Sequence, residues 1–400
     1  MNKIAPIHTT PEESCRRALV LGAGAAYGAF QVGVLDYLLR DAQAGFSVIT
    51  GASVGALNAA ILAQGRDIGE VRSTYLPELE ELWNNIRGSS DLLGRAWARG
   101  RLSSVFGLLL NAPCTLEPLQ NLLEERLSIR RLRESCVELA IEVACLDTGR
   151  IATIQPSDPN FTRFLLAGCR MPMFFPPAEI PAYLLPDGCC ESAGLSVNAR
   201  RDLVGLPFPS RASLERRLTN EVLYGPLDQQ ERKDLAERLW QSAERVPDLQ
   251  WCDAYVRRIL PLTPALKRRP DRVVAVHALP TTLAQTDSQD YRGFVPRMQR
   301  ATGILCREIS RTNSTTARIL NQVLERWRSV EREVDDDAPV RETQAWRDMA
   351  DFLSKYHCAE AIIEISPEPG ELHSDPLEFS PDVIKKLERH GRQRAEETMG

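Results

Sequence analysis

Residues 46–60 read Phe46-Ser-Val-Ile-Thr-Gly-Ala-Ser-Val-Gly-Ala-Leu-Asn-Ala-Ala60. Phe46 to Thr50 has the apolar, β-branched character of a buried strand, and Ala56 to Gln64 that of a helix. Between them, Gly51 to Gly55 forms the pattern G-x-S-x-G. In that position the pattern describes a nucleophile elbow. Small residues let strand and helix approach, and Ser53 sits on a strained turn with its hydroxyl at a helix N-terminus, where developing negative charge is favoured. A plain strand-to-helix turn uses the same glycines, so the pentapeptide alone does not decide the chemistry.

Upstream, Ala18-Leu-Val-Leu21 is a second short apolar run, and glycines and alanines follow to Gly28. A helical pattern comes next, with Phe30, Val34, Leu35 and Leu38 on one side. Two strand–glycine turn–helix units in succession point to a buried parallel sheet covered by helices. The turn Gly22-Ala-Gly24-Ala-Ala-Tyr-Gly28 has two readings. A dinucleotide site needs the spacing GxGxxG and an acid at the end of the second strand. Here the spacing is GxGxxxG and the second strand runs into Ser53. The alternative is an oxyanion loop, whose backbone N–H groups hold a tetrahedral intermediate. The adjoining elbow favours it.

Farther along, Val137 to Cys145 and Arg150 to Ile154 read as strands around the turn Asp147-Thr-Gly149. Tyr183 to Leu185 is a brief strand delivering Pro186-Asp187-Gly188, which reads either as a proton-accepting aspartate at a strand end or as a common turn pair. Residues 200–258 turn polar and helical, Arg272 to His277 returns to a buried strand, and Ala301 to Val334 is a long helix rich in Arg and Glu. Of the five histidines only His277 ends a core-like strand, where a hydrogen-bonded core histidine is preferred over a triad member.

Composition narrows the classes further. Of 400 residues 43% are hydrophobic and 26% charged, which is globular rather than disordered. Lys and Arg number 49 against 54 Asp and Glu, a net charge of −5, so the whole chain has no nucleic-acid footprint. No apolar stretch is long enough to span a membrane, and the first twenty residues lack the apolar core of a secretory signal. The ten cysteines include no CxxC pair and suggest reduced thiols in a cytoplasm. No metal or organic cofactor is implied.

Together the motifs resemble the patatin-like phospholipase family. RALVLGAGAAYGAFQVGVLDYL is similar to its glycine-rich oxyanion segment, FSVITGASVGALNAA to its elbow, and LLAGCRMPMFFPPAEIPAYLLPDGC to the segment ending in its Asp-Gly motif. The resemblance implies a serine–aspartate dyad hydrolase of lipid acyl esters. Ser53 would be the nucleophile and Asp187 the base. Gly22, Ala23, Gly24 and Ala25 would form the oxyanion loop, and Gly51, Gly55 and Gly188 would be the motif glycines. Alanines 23 and 25 interrupt the family's glycine run, and Tyr27 stands where the family has a basic residue.

The expected architecture is a three-layer α/β/α fold with a mainly parallel central sheet, spanning residues 17–395 after a polar leader at 1–16. A helical insertion at about 200–258 is expected as a cover over or beside the cleft. Apolar stretches Leu92–Leu110 and Met171–Tyr183 are candidates for an acyl cleft. The expected partner is a lipid or phospholipid substrate, with peripheral membrane contact compatible and no nucleic acid. Export by a signal-independent route is left open. The alternative from another class is a catalytically silent protein of this fold that binds a lipid or a partner.

Overall fold

The computed structural model describes residues 16–95, 114–172, 174–281, 294–354, 357–368 and 378–400. Eight strands form the central sheet. They are β1 (Arg17–Leu21), β2 (Val48–Ala52), β3 (Glu138–Cys145), β4 (Ile151–Ile154), β5 (Ala178–Glu179), β6 (Gln250–Asp253), β7 (Arg272–Val276) and β8 (Ala361–Ile365). Their order is β8-β7-β1-β2-β3-β6-β5, with β4 paired to β3. The first five in that order are mutually parallel, and β4, β5 and β6 join antiparallel.

Strand alternation divides the interior in two, because successive side chains leave opposite faces of a sheet. Leu19, Leu21, Ile49 and Val276 join the large cluster that also holds Phe30, Leu62 and Leu387. Ala18, Val20, Val48 and Ala275 join a smaller cluster with Leu262 and Ala265. The first face is covered by α1 (Gly28–Asp36), α2 (Val54–Leu62), α3 (Leu76–Asn85), α4 (Glu117–Arg126), α5 (Phe161–Ala167) and the C-terminal helix Pro381–Met399. The short helix α10 (Leu262–Leu266) and part of the long helix α11 (Phe294–Glu333) lie against the second. This is an α/β fold with a mostly parallel sheet between helices, as the sequence predicts.

The polar middle of the chain begins and ends earlier than its composition suggests. Four helices, α6 (Asp187–Ser192), α7 (Val197–Leu203), α8 (Arg211–Arg217) and α9 (Gln229–Gln241), surround their own apolar cluster from Leu185 to Leu239. Buried Asp158 ties them to the main body, accepting from Ser210 at 2.8 Å and pairing with Arg216 at 2.5 Å. Residues 250–253, expected inside the insertion, are instead a strand of the central sheet. Trp251 and Cys252 are fully buried there, and burial outweighs the polar character of the surrounding sequence.

Candidate active site

The elbow forms because strand and helix meet with almost no space between them. A Cβ on Gly51 would lie 2.5 Å from Ala56 Cα, and one on Gly55 would lie 2.3 Å from the Leu21 carbonyl oxygen. Only glycine fits at either position. Ser53 between them has φ 55° and ψ −129°, a conformation costly for a side-chain-bearing residue and characteristic of functional turns. It is 6% exposed and stands directly before α2. The amides of Val54 and Gly55 at its start have no intrahelical acceptor, whereas Ala56 and Leu57 donate to the Ser53 carbonyl, so the helix presents its positive end to the serine.

Strand register brings a carboxylate to this serine. On one edge of β3, Glu142 pairs with Ala52 of β2, and the next residue, Val143, pairs with Asp253 of β6. The opposite edge of β3 is occupied by β4 at the same positions. Strands β2 and β6 therefore meet end to end along one edge of β3, and their final residues bring Ser53 and Asp253 together. Asp253 is fully buried. Its Oδ1 accepts from the Tyr255 amide at 3.0 Å, its own amide donates to the Arg170 carbonyl at 3.0 Å, and Oδ2 has no hydrogen-bond partner. Burial pushes its pKa up to about 7, opposed in part by the Ser53 hydroxyl and the Tyr255 amide. The turn after it is pinned by Arg258, which pairs with the fully buried Glu142.

Asp187 lies elsewhere. The strand before it, Ala182–Leu184, pairs with Glu244–Val246 in a separate two-stranded ribbon and not with the central sheet. Asp187 opens α6 at the insertion's surface and is exposed. A Cβ on Gly188 would meet nothing within 4 Å, so that glycine answers no steric demand. The expectation that Asp187 pairs with Ser53 is therefore corrected: the carboxylate facing the serine is Asp253. The sequence does carry a signal for it, a short apolar run, Trp251-Cys252, ending in Asp253-Ala254, but assigning 200–258 to an insertion conceals it.

The glycine loop divides into two parts. The amides of Gly22 and Ala23 donate to the Val276 and Ile259 carbonyls, each at 2.9 Å, and so fasten the loop. The amides of Gly24 and Ala25 donate no such bond among the described residues, although their carbonyls accept from Tyr27 and Gly28, and Ala25 has φ 48°, the left-handed conformation in which alanine is strained. A buried amide chain supports the loop from beneath. Gln31 donates to the Gly22 carbonyl at 2.7 Å, Asn58 to Gln31 at 3.0 Å and to the Gly28 carbonyl at 3.2 Å, and Trp83 to Asn58 at 3.0 Å. Loop, elbow helix and α3 are thus tied together by one chain of buried hydrogen bonds.

From Ala25 and Ser53 a narrow cleft extends, partly open to solvent. Its walls are almost wholly apolar, with Leu79 and Trp83 from α3, Leu119 and Leu123 from α4, and Met171 and Phe175 beyond α5. Leu92 and Leu93 also line it, so both apolar stretches contribute, although residues 96–113 lie outside the described chain. No described residue of the insertion lines it. Cys169 lines the cleft too, but burial holds its thiol strongly protonated, which removes it as a rival nucleophile. His277 is held between Ser310 at 3.2 Å and Glu364 at 2.9 Å, a core histidine with both ring nitrogens engaged.

Residues 19–193 match the family model Patatin-like phospholipase; the match includes Ser53 and Asp187 and stops before Asp253. Among solved structures, VipD from Legionella pneumophila is similar over 96% of this chain and 67% of its own, at 11% identity and a TM-score of 0.30. The type III effector protein ExoU is similar over 84% of this chain and 68% of its own, at 16% identity and a TM-score of 0.21. Comparison with curated proteins gives no match.

Proposed function

Since residues 19–193 place this chain in the patatin-like phospholipase family, we propose that it is a serine hydrolase of lipid acyl esters working through Ser53 and Asp253. The observation that carries this reading is a strained serine beside a buried, half-satisfied carboxylate at the end of an apolar cleft. With a pKa of about 7, Asp253 is a far better acceptor for a hydroxyl proton than an ordinary carboxylate. Its unpaired Oδ2 takes the proton as Ser53 Oγ attacks the ester carbonyl, while the acyl chain lies among the leucines of the cleft. The oxyanion is held by the amides of Gly24 and Ala25 with those at the start of α2. Asp253 then returns the proton to the departing alcohol, leaving an acyl-enzyme. Water, deprotonated by the same carboxylate, releases the fatty acid.

A silent lipid-binding protein of the same fold is the second reading. The observations in its favour are the strain at Ala25 and the Gly22 and Ala23 amides already committed to backbone carbonyls. Reaction with a fluorophosphonate separates the two, since it requires an activated serine. The hydrolase reading predicts one adduct, on Ser53, that is lost in Ser53→Ala. Absence of labelling in the folded wild-type protein would leave only the silent reading.

A further inference from the structure

The helix Phe294–Glu333, here α11, is forty residues long and passes directly beside the catalytic pair. Cys306 is buried with Ala23 of the glycine loop, Ala52 before the elbow and Ala254 after Asp253, and Ile309 packs on the same cluster. One turn around the helix the surface is of another kind. Leu305, Ile319, Val323 and Val330 are 64%, 56%, 46% and 41% exposed. Their spacings are near multiples of about 3.6 residues, so they share one narrow stripe about 37 Å long at ~1.5 Å per residue. Among the described residues nothing buries this stripe.

Charge identifies what suits it. The chain as a whole carries −5, but α11 holds eight arginines and no lysine or aspartate against four glutamates. Arg311, Arg318 and Arg326 stand exposed along one side of the stripe; Arg311 pairs with Glu308 at 2.6 Å and Arg318 with Glu364 at 3.3 Å, so Arg326 and the net excess of arginine on the helix carry the attraction. An apolar stripe bordered by cations is the pattern of a helix that lies in a lipid–water interface. We propose that this face of α11 docks on anionic phospholipid surfaces and sets the neighbouring catalytic cleft at the membrane. The proposal rests on the reading of the cleft as a lipid hydrolase site, which requires it to approach lipid. A second copy is a poorer occupant, because a two-fold contact along the stripe brings arginine-rich borders together.

Vesicle sedimentation of the full chain tests this without relying on catalysis. The Ser53→Ala protein should bind vesicles of phosphatidylcholine mixed with phosphatidylserine, bind phosphatidylcholine alone far less, and detach as salt rises. Leu305→Glu/Val323→Glu, at exposed positions and checked for an unchanged thermal melt, should weaken that binding about tenfold or more. The same pair in the wild-type background should leave hydrolysis of a soluble short-chain ester within about twofold. Should the double variant fail to fold, Arg311→Gln/Arg326→Gln serves in its place, with the same loss expected on mixed vesicles. Equal binding to neutral and mixed vesicles, or binding unchanged in a folded variant, overturns the proposal. So does self-association that the substitutions abolish in a protein that binds no vesicles. Loss of ester hydrolysis in the wild-type protein with vesicle binding intact would instead count against the catalytic reading alone.

Discussion

Asp253 is a carboxylate placed where its charge is expensive. Its pKa near 7 lies above the unfolded value of about 3.9, so the folded protein holds an extra proton between about pH 4 and 7. Stability must therefore fall as pH rises through that window, by on the order of 4 kcal/mol in all. Asp253→Asn removes the titration. Its melting temperature should match the wild type near pH 4 and exceed it at pH 8, as scanning calorimetry would show, while hydrolysis is lost. The wild-type kcat/KM for a short-chain ester should in turn fall about tenfold per pH unit below an inflection near 7, because a protonated Asp253 cannot accept the serine proton. An inflection near 4 would point to an ordinary exposed carboxylate. None of this is written in the residue type. The sequence offers 54 acidic side chains, and only burial beside Ser53 singles one out.

Among the elements, the elbow is the part most directly legible. Strands β1 and β2 are buried on both faces and read as short apolar runs, and the close approach of α2 demands glycine at fixed positions. An alanine at position 55 drives its Cβ into the carbonyls of Leu21 and Gly22, at 2.3 and 2.6 Å. Gly55→Ala should therefore push α2 from β1, cost about 2–3 kcal/mol and lower kcat/KM at least about a hundredfold by moving Ser53. Gly188→Ala should change stability by less than about 0.5 kcal/mol and leave activity intact, since the new methyl meets nothing. Thermal melts and ester kinetics on the pair check both. The two glycines look alike in sequence, each in a motif-like pair. Packing tells them apart.

At the scale of the whole molecule, the proposed base follows from which unit an aspartate belongs to. Asp187-Gly188 follows an apolar segment just as Asp253-Ala254 does, but its strand belongs to a ribbon within the insertion. Four-residue β6 carries its aspartate into the central sheet, against the one edge of β3 left open where β2 ends. That pairing joins residues about 110 positions apart and brings Asp253 to a serine 200 positions before it, and no local pattern encodes it. The same holds for the insertion, whose helices are readable from their polar character while the absence of their described residues from the cleft lining is not. The most direct measurement is therefore kcat/KM on one soluble short-chain ester for Ser53→Ala, Asp253→Asn and Asp187→Asn, each confirmed folded. The Ser53–Asp253 account predicts that the first two fall together, by on the order of 10⁴-fold, while Asp187→Asn stays within a few-fold of wild type. If Asp187→Asn falls as far as Ser53→Ala and Asp253→Asn remains active, the account is contradicted.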